Sequence, residues 1–127
     1  GLEKQLILKG NVKDVYQVYG DYAFLVLPSY REGLPLVLLE AKALGLPMIS
    51  FDITTGPREI INEGEDGYLI PPYHIEEMAA KIETLIIDEK QRILFSKNTE
   101  KGIEKFCKRR IYSEREELIE TLCGGEE

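Results

Sequence analysis

Apolar residues along the chain follow two rhythms. Four short runs, QLILKG (5–10), AFLVLP (23–28), PMISF (47–51) and GYLI (67–70), are nearly continuous and each is flanked by Gly or Pro. Runs of that length without polar alternation predict strands buried on both faces. Between them the apolar positions recur at helical spacing. Val12, Val15, Tyr16 and Tyr19 share one face before Gly20, and LPLVLLEAKALG (34–45) puts Pro35 in a first turn and Gly45 at the end. TGPREIINEG (55–64) predicts a short helix starting near Pro57. From Ile75 onward the pattern is helical, with Met78, Ala79, Ile82, Leu85 and Ile86 on one face. A continuation over 89–107 turns Ile93, Leu94, Ile103 and Phe106 inward, and a last helix spans about 112–122 before a GGEE tail that frays.

Alternation of apolar strands with helices predicts an α/β fold: a short parallel sheet of about four strands covered by helices on both faces, with further helices at the C-terminal end. In such sheets ligands sit at the carboxyl ends of the strands. The loops to inspect are therefore 10–12, 28–35, 52–57 and 71–75.

Composition sharpens this picture. The 127 residues amount to about one domain, with 43% apolar residues to fill a core. The net charge of −7 argues against nucleic acid as the main partner, because phosphate-backbone binding needs a basic face. Two cysteines, Cys107 and Cys123, make neither a disulfide framework nor a CxxC metal pattern, and fit reduced thiols in a cytosolic compartment. No run of about 18 apolar residues is present to span a bilayer, and GLEKQLILKG has neither the basic head nor the long apolar body of a signal peptide.

The segment SYREGLPLVLLEA (29–41) carries the candidate chemistry. It leaves a strand, crosses a loop with little side-chain bulk and enters a helix. A helix start presents unpaired N–H groups and partial positive charge, so it attracts anions. Gly33 lets a ligand approach the backbone closely. Glu32 in the loop and Glu40 in the helix, eight positions apart, are expected to face a common cleft. A carboxylate accepts two hydrogen bonds from vicinal hydroxyls such as those of a ribose. An anion at the helix start with one carboxylate for a ribose and one for a hexose describes a nucleotide sugar. Spacing alone leaves a second reading open, in which Glu32 caps a turn and Glu40 is a solvated helix residue.

The stretch FLVLPSYREGLPLVLLEAKALGLPMISFDITTGPREIINEGEDGYLIPP (24–72) resembles the donor-binding half of family 4 glycosyltransferases, which have the Rossmann-like, three-layer α/β/α domains of the GT-B fold. The resemblance rests on the Leu-Pro-Ser turn, the pair Glu32/Glu40, Glu-Ala followed by Gly45-Leu46-Pro47, then Gly56-Pro57 with Glu59, and finally the G-x-L-x-P-P of 67–72. Some likeness extends over about 5–106. It implies a retaining transfer of a sugar from a nucleoside diphosphate to an acceptor hydroxyl. In that family the first glutamate faces the donor sugar, which gives Glu32 the catalytic position, and the second hydrogen-bonds the ribose, which gives Glu40 that role. Donor contacts are implied for Gly33, Leu34, Pro35, Leu36 and Val37, and for Gly10 and Asn11 near the base. Pro35 departs from the family, where Gly is common: it has no N–H to donate, which shifts the phosphates to the Leu36 and Val37 amides.

No cofactor or metal is expected, since helix-start amides and basic side chains stabilise the leaving diphosphate in GT-B enzymes and no Asp-x-Asp occurs. The family supplies that Arg and Lys from strands upstream of this segment, and the acceptor-binding domain lies upstream too. Residues 1–110 are thus expected to be part of a donor domain and 111–127 a C-terminal helix and tail, the chain alone being incomplete and inactive. FDITTGPREII resembles bacterial members that build capsule, exopolysaccharide or lipopolysaccharide, which implies a UDP-hexose or UDP-N-acetylhexosamine. Arg31, Arg58, His74, Tyr30 and Tyr73 also fall in the loops at the ligand end. Lys97, Lys101, Lys105 and Lys108 form a stripe that can touch anionic lipid, diluted by Glu100 and Glu104. The expected location is cytoplasmic, with the inner membrane face as its variant, and exposed apolar surface predicts self-association.

Overall fold

The computed structural model describes residues 3–106. The last expected helix, at 112–122, and the end of the lysine stripe lie outside the described residues. Chain order is α1 (Val15–Tyr19), β1 (Leu25–Leu27), α2 (Leu36–Ala43), β2 (Met48–Phe51), α3 (Pro57–Ile60), β3 (Gly67–Ile70), α4 (Ile75–Ile87) and α5 (Glu89–Asn98), followed by a 3₁₀ turn (Ile103–Phe106).

The three strands are parallel in the order β1-β2-β3, with Leu25 opposite Met48 and Met48 opposite Gly67. All four β2 residues are buried, as a central parallel strand requires. The strand's period of two divides them between the layers. Met48 joins Tyr19, Leu38, Ala41, Leu46, Ile60 and Ile61 on the α2 side. Ile49 and Phe51 join Ile53, Ile70, Met78, Leu85 and Phe95 under α4 and α5. This is the expected three-layer α/β/α arrangement.

Five features correct the sequence reading. Residues 5–10 are not a strand, so the sheet has three strands rather than about four, and Leu6, Ile7 and Leu8 are 66%, 73% and 89% exposed. An apolar run forms a strand only where a neighbour takes its hydrogen bonds, and the sheet does not. The helix expected over 89–107 stops at Asn98: Thr99 turns inward and is fully buried, Asn98 Nδ2 bonds the Glu65 carbonyl at 2.9 Å, and Gly102 adopts φ +75°. On α5, Phe95 faces the core, while Ile93 and Leu94 face outward. On α4, Ile86 and Ala79 are exposed, leaving Met78 and Leu85 as the buried anchors. Pro35 precedes α2 as its N-cap, with φ −74° and ψ 100°, instead of sitting in the first turn.

Candidate functional site

The carboxyl ends of the three strands feed the loops 28–35, 52–56 and 71–74, and these enclose a cleft of about 420 Å³. Its walls are Tyr30, Arg31 and Glu32 from the first loop, Asp52 to Thr55 from the second, and Pro72 and Tyr73 from the third. Two contacts fix the first loop to the second. Thr55 Oγ1 donates to the Glu32 carbonyl at 2.8 Å. Gly56, at φ +96°, lies so close to the first loop that a Cβ there would sit 2.3 Å from the Gly33 carbonyl oxygen and 2.5 Å from Pro35 Cδ.

Charge in the cleft is partly spent internally. Arg58 grips Asp52 through two parallel bonds, Nε to Oδ1 at 2.8 Å and Nη2 to Oδ2 at 2.5 Å, and the hydrogen bond to Asp52 raises the Arg58 pKa. Arg31 and Glu32 line the same cleft. Above them the rings of Tyr73, Tyr30 and Phe51 stack in series, at 4.6 Å with 18° between planes and at 5.2 Å with 14°.

Helix α2 starts beside this cleft. Its N-cap Pro35 makes no side-chain cap, and its first turn holds no acid. Leu38 N donates back to the Pro35 carbonyl at 3.0 Å, whereas Leu36 and Val37 precede any residue able to bond within the helix. Gly33 has no atom within 4 Å of where a Cβ would be, so its solvent side is open.

Glu40 is placed apart from Glu32. Its carboxylate accepts from Tyr19 Oη at 3.0 Å and Tyr16 Oη at 3.3 Å, and it lines a separate depression with Tyr16, Leu39, Ala43, Ile103 and Phe106. The common cleft expected from the sequence is therefore not formed by the described residues. Burial, and then the hydrogen bond to Glu40, pushes the Tyr19 phenol up to about 12. The Glu40 charge raises the exposed Tyr16 phenol as well. Gly10, at φ +63°, and Asn11 lie on an exposed stretch before α1 and do not line the cleft. His74 is the N-cap residue of α4 and its Nδ1 lies 3.3 Å from Glu77 Oε2.

A family profile described as glycosyl transferases group 1 matches residues 1–102. The chain belongs to this glycosyltransferase family. The resemblance read from 24–72 is thus borne out, and with it the GT-B class. The glycosyltransferase chain is 33% identical over 118 residues to the capsular polysaccharide biosynthesis glycosyltransferase CapM of Staphylococcus aureus, covering 92% of itself and 31% of CapM. It is 37% identical over 123 residues to an exopolysaccharide phosphotransferase of Streptomyces coelicolor, covering 96% of itself and 13% of that protein. Among solved structures, S. aureus TarM in complex with fondaparinux, α-GlcNAc-glycerol and UDP superposes with a TM-score of 0.85 at 32% identity, over 92% of this chain and 24% of TarM. The chain spans about a third or less of the length of these proteins.

Sequence reasoning missed three arrangements. The Asp52–Arg58 clamp was missed because Arg58 was read by itself as a loop residue and Asp52 was not singled out. The aromatic series joins residues 30, 51 and 73, which only the fold brings together. Lys42 of α2 is buried in an ion pair with Asp66, whose carboxylate also accepts Asn62 N at 2.9 Å and Asn62 Nδ2 at 3.0 Å. Nothing in AKALG marks that lysine as inward-facing. Among the described residues no helix is long and apolar enough to cross a membrane, and no three His, Cys, Asp or Glu side chains cluster as metal ligands.

Proposed function

We propose that this chain is the donor-binding part of a retaining glycosyltransferase. It takes a sugar from a nucleoside-diphosphate sugar, a UDP-sugar by our reading, to an acceptor hydroxyl in bacterial polysaccharide or glycolipid synthesis. The chain supplies part of the donor domain, and an acceptor domain outside this chain completes the enzyme. The observation that carries this reading is the uncapped start of α2 beside the Glu32 cleft at the carboxyl end of a parallel sheet. The UDP bound in the TarM structure supports it.

The roles follow from charge. A departing UDP carries a growing negative charge, and the Leu36 and Val37 amides at the positive end of α2 stabilise it without a metal. Pro35 contributes shape but no donor. Gly33 leaves room for the ligand, and Leu34 closes the turn into the helix. Glu32 accepts hydroxyls of the donor sugar. Glu40 holds the ribose: a carboxylate has about four acceptor sites, so it keeps the Tyr19 bond while a ribose hydroxyl replaces the longer one from Tyr16. Gly10 and Asn11 contact the base.

The test is a transfer assay on the intact parent enzyme with UDP-glucose and UDP-N-acetylglucosamine, reading the product's anomeric configuration by NMR. An α-linked product is expected, and a β-linked one contradicts retention. A second reading is a nucleotide-binding or structural module that acts through a partner domain. The placement of Glu32 and Glu40 in two separate depressions favours keeping it. Binding of UDP without any sugar transfer by the parent enzyme selects this module reading.

A further inference from the structure

Tyr73 is the one non-glycine among the described residues with a positive φ, at 71°. Its side chain is not placed there to be buried, since the residue is 71% exposed. A left-handed turn by itself favours Gly or Asn at this position. The turn is hydrogen-bonded on both sides, from His74 N to the Pro71 carbonyl at 3.2 Å and from Ile75 N to the Tyr73 carbonyl at 2.9 Å. What the unusual backbone achieves is the ring's position. The Tyr73 ring lies 4.6 Å from that of Tyr30, nearly parallel to it, and Tyr30 in turn stacks on Phe51, which is 1% exposed at the end of the central strand.

Tyr30 stands two residues before Glu32 in the same loop. The Glu32 side of the loop is held by the Thr55 hydroxyl and by the close approach of Gly56, and the Tyr30 side by the two rings. We propose that Tyr73 is a positioning residue: it clamps Tyr30 against Phe51 and so fixes where Glu32 stands in the cleft, which makes it a determinant of how the donor's sugar is held. This inference rests on the donor-site reading. It assigns Tyr73 to the sugar end of the ligand and not to the nucleotide, because Tyr30 and Tyr73 line the cleft that holds Glu32, whereas Glu40 lines a separate depression.

The experiment uses the intact parent enzyme and three variants of it, Tyr73→Phe, Tyr73→Ala and Tyr73→Gly. Calorimetry gives the affinities for UDP, UDP-glucose and UDP-N-acetylglucosamine, and amide NMR without ligand reads the Glu32 environment. Tyr73→Phe keeps the stack and behaves as the parent enzyme. Tyr73→Gly relaxes the backbone, so it unfolds at no lower temperature, yet it shifts or broadens the Glu32 amide. It also binds the better UDP-sugar about tenfold more weakly while UDP affinity is unchanged. Tyr73→Ala shows the same loss with the strain retained. An unaltered Glu32 amide in Tyr73→Gly overturns the clamp whether or not UDP binds. Equal losses for UDP and UDP-sugar overturn the assignment to the sugar end. If the parent enzyme binds neither nucleotide, the donor-site reading fails, and the assignment to the sugar end falls with it, while the amide measurement still decides the clamp.

Discussion

Lys42 and Asp66 show how strongly one pair can hold this fold. Both side chains are buried, and together they tie α2 to the turn that enters β3. The Asn62 amide groups supply two further bonds to the carboxylate. Removing one partner leaves a charge in the interior with nothing equal to it, which typically costs about 3–5 kcal/mol. Lys42→Met is therefore expected to lower stability by about that amount in urea denaturation, and a loss below about 1 kcal/mol contradicts the pairing. Two residues before Lys42, Glu40 of α2 accepts from Tyr19 of α1, and Tyr19 gives a pH signature. Its pKa is raised from about 10 in the unfolded chain to about 12 in the fold. The phenol's stabilising contribution is complete below pH 10 and disappears as pH rises through 12. Denaturant midpoints at pH 9 and pH 11.5 should differ less in Tyr19→Phe than in the parent chain. Equal differences in the two proteins count against the Tyr19–Glu40 bond as a stabilising contact.

At the scale of elements, two glycines set how closely neighbours approach. Gly67 pairs with Met48 in the β2–β3 register, and a Cβ there would lie 2.2 Å from the Met48 carbonyl oxygen. Gly67→Ala must push the strands apart and is expected to cost about 1–3 kcal/mol by thermal or chemical denaturation. Gly56→Ala meets both a forbidden backbone region and the Gly33 carbonyl, so it moves the loop that carries Glu32. It should shift the Glu32 amide resonance, and an unmoved resonance contradicts the coupling of the two loops. Much of this layer was legible in the chain. The runs at 23–28, 47–51 and 67–70 contain the three strands because a sheet covered on both faces leaves no place for polar alternation. Pro57 starts α3 as read. The run at 5–10 was misread for the converse reason: Leu6 to Leu8 declare apolarity, but pairing depends on a neighbour that sequence pattern does not name. The end of α5 was missed because Thr99 is a weak helix breaker whose burial comes from tertiary packing. Three of the four expected loops, 28–35, 52–57 and 71–75, follow strand ends and supply the cleft walls, whereas 10–12 follows no strand and does not line the cleft. The engagement of Glu40 by two tyrosines 21 and 24 residues away was not visible in any local spacing.

At the scale of the molecule, β1 has a neighbour on one side only among the described residues, and its residues are half-buried. An edge of this kind, together with the exposed Leu6, Ile7 and Leu8, invites pairing with another chain. We expect the isolated chain to associate as its concentration rises, and Ile7→Lys to reduce this in sedimentation velocity; identical sedimentation of the two proteins contradicts it. The central claim is that a pyrophosphate seats on the start of α2. Titration of the isotope-labelled chain with UDP, followed through its amide resonances, tests this directly. The account predicts saturable shifts concentrated at Gly33 to Glu40 and in the loop 52–58, with the Leu36 and Val37 amides moving most. No shift at millimolar UDP, or shifts confined to α4 and α5, contradicts it.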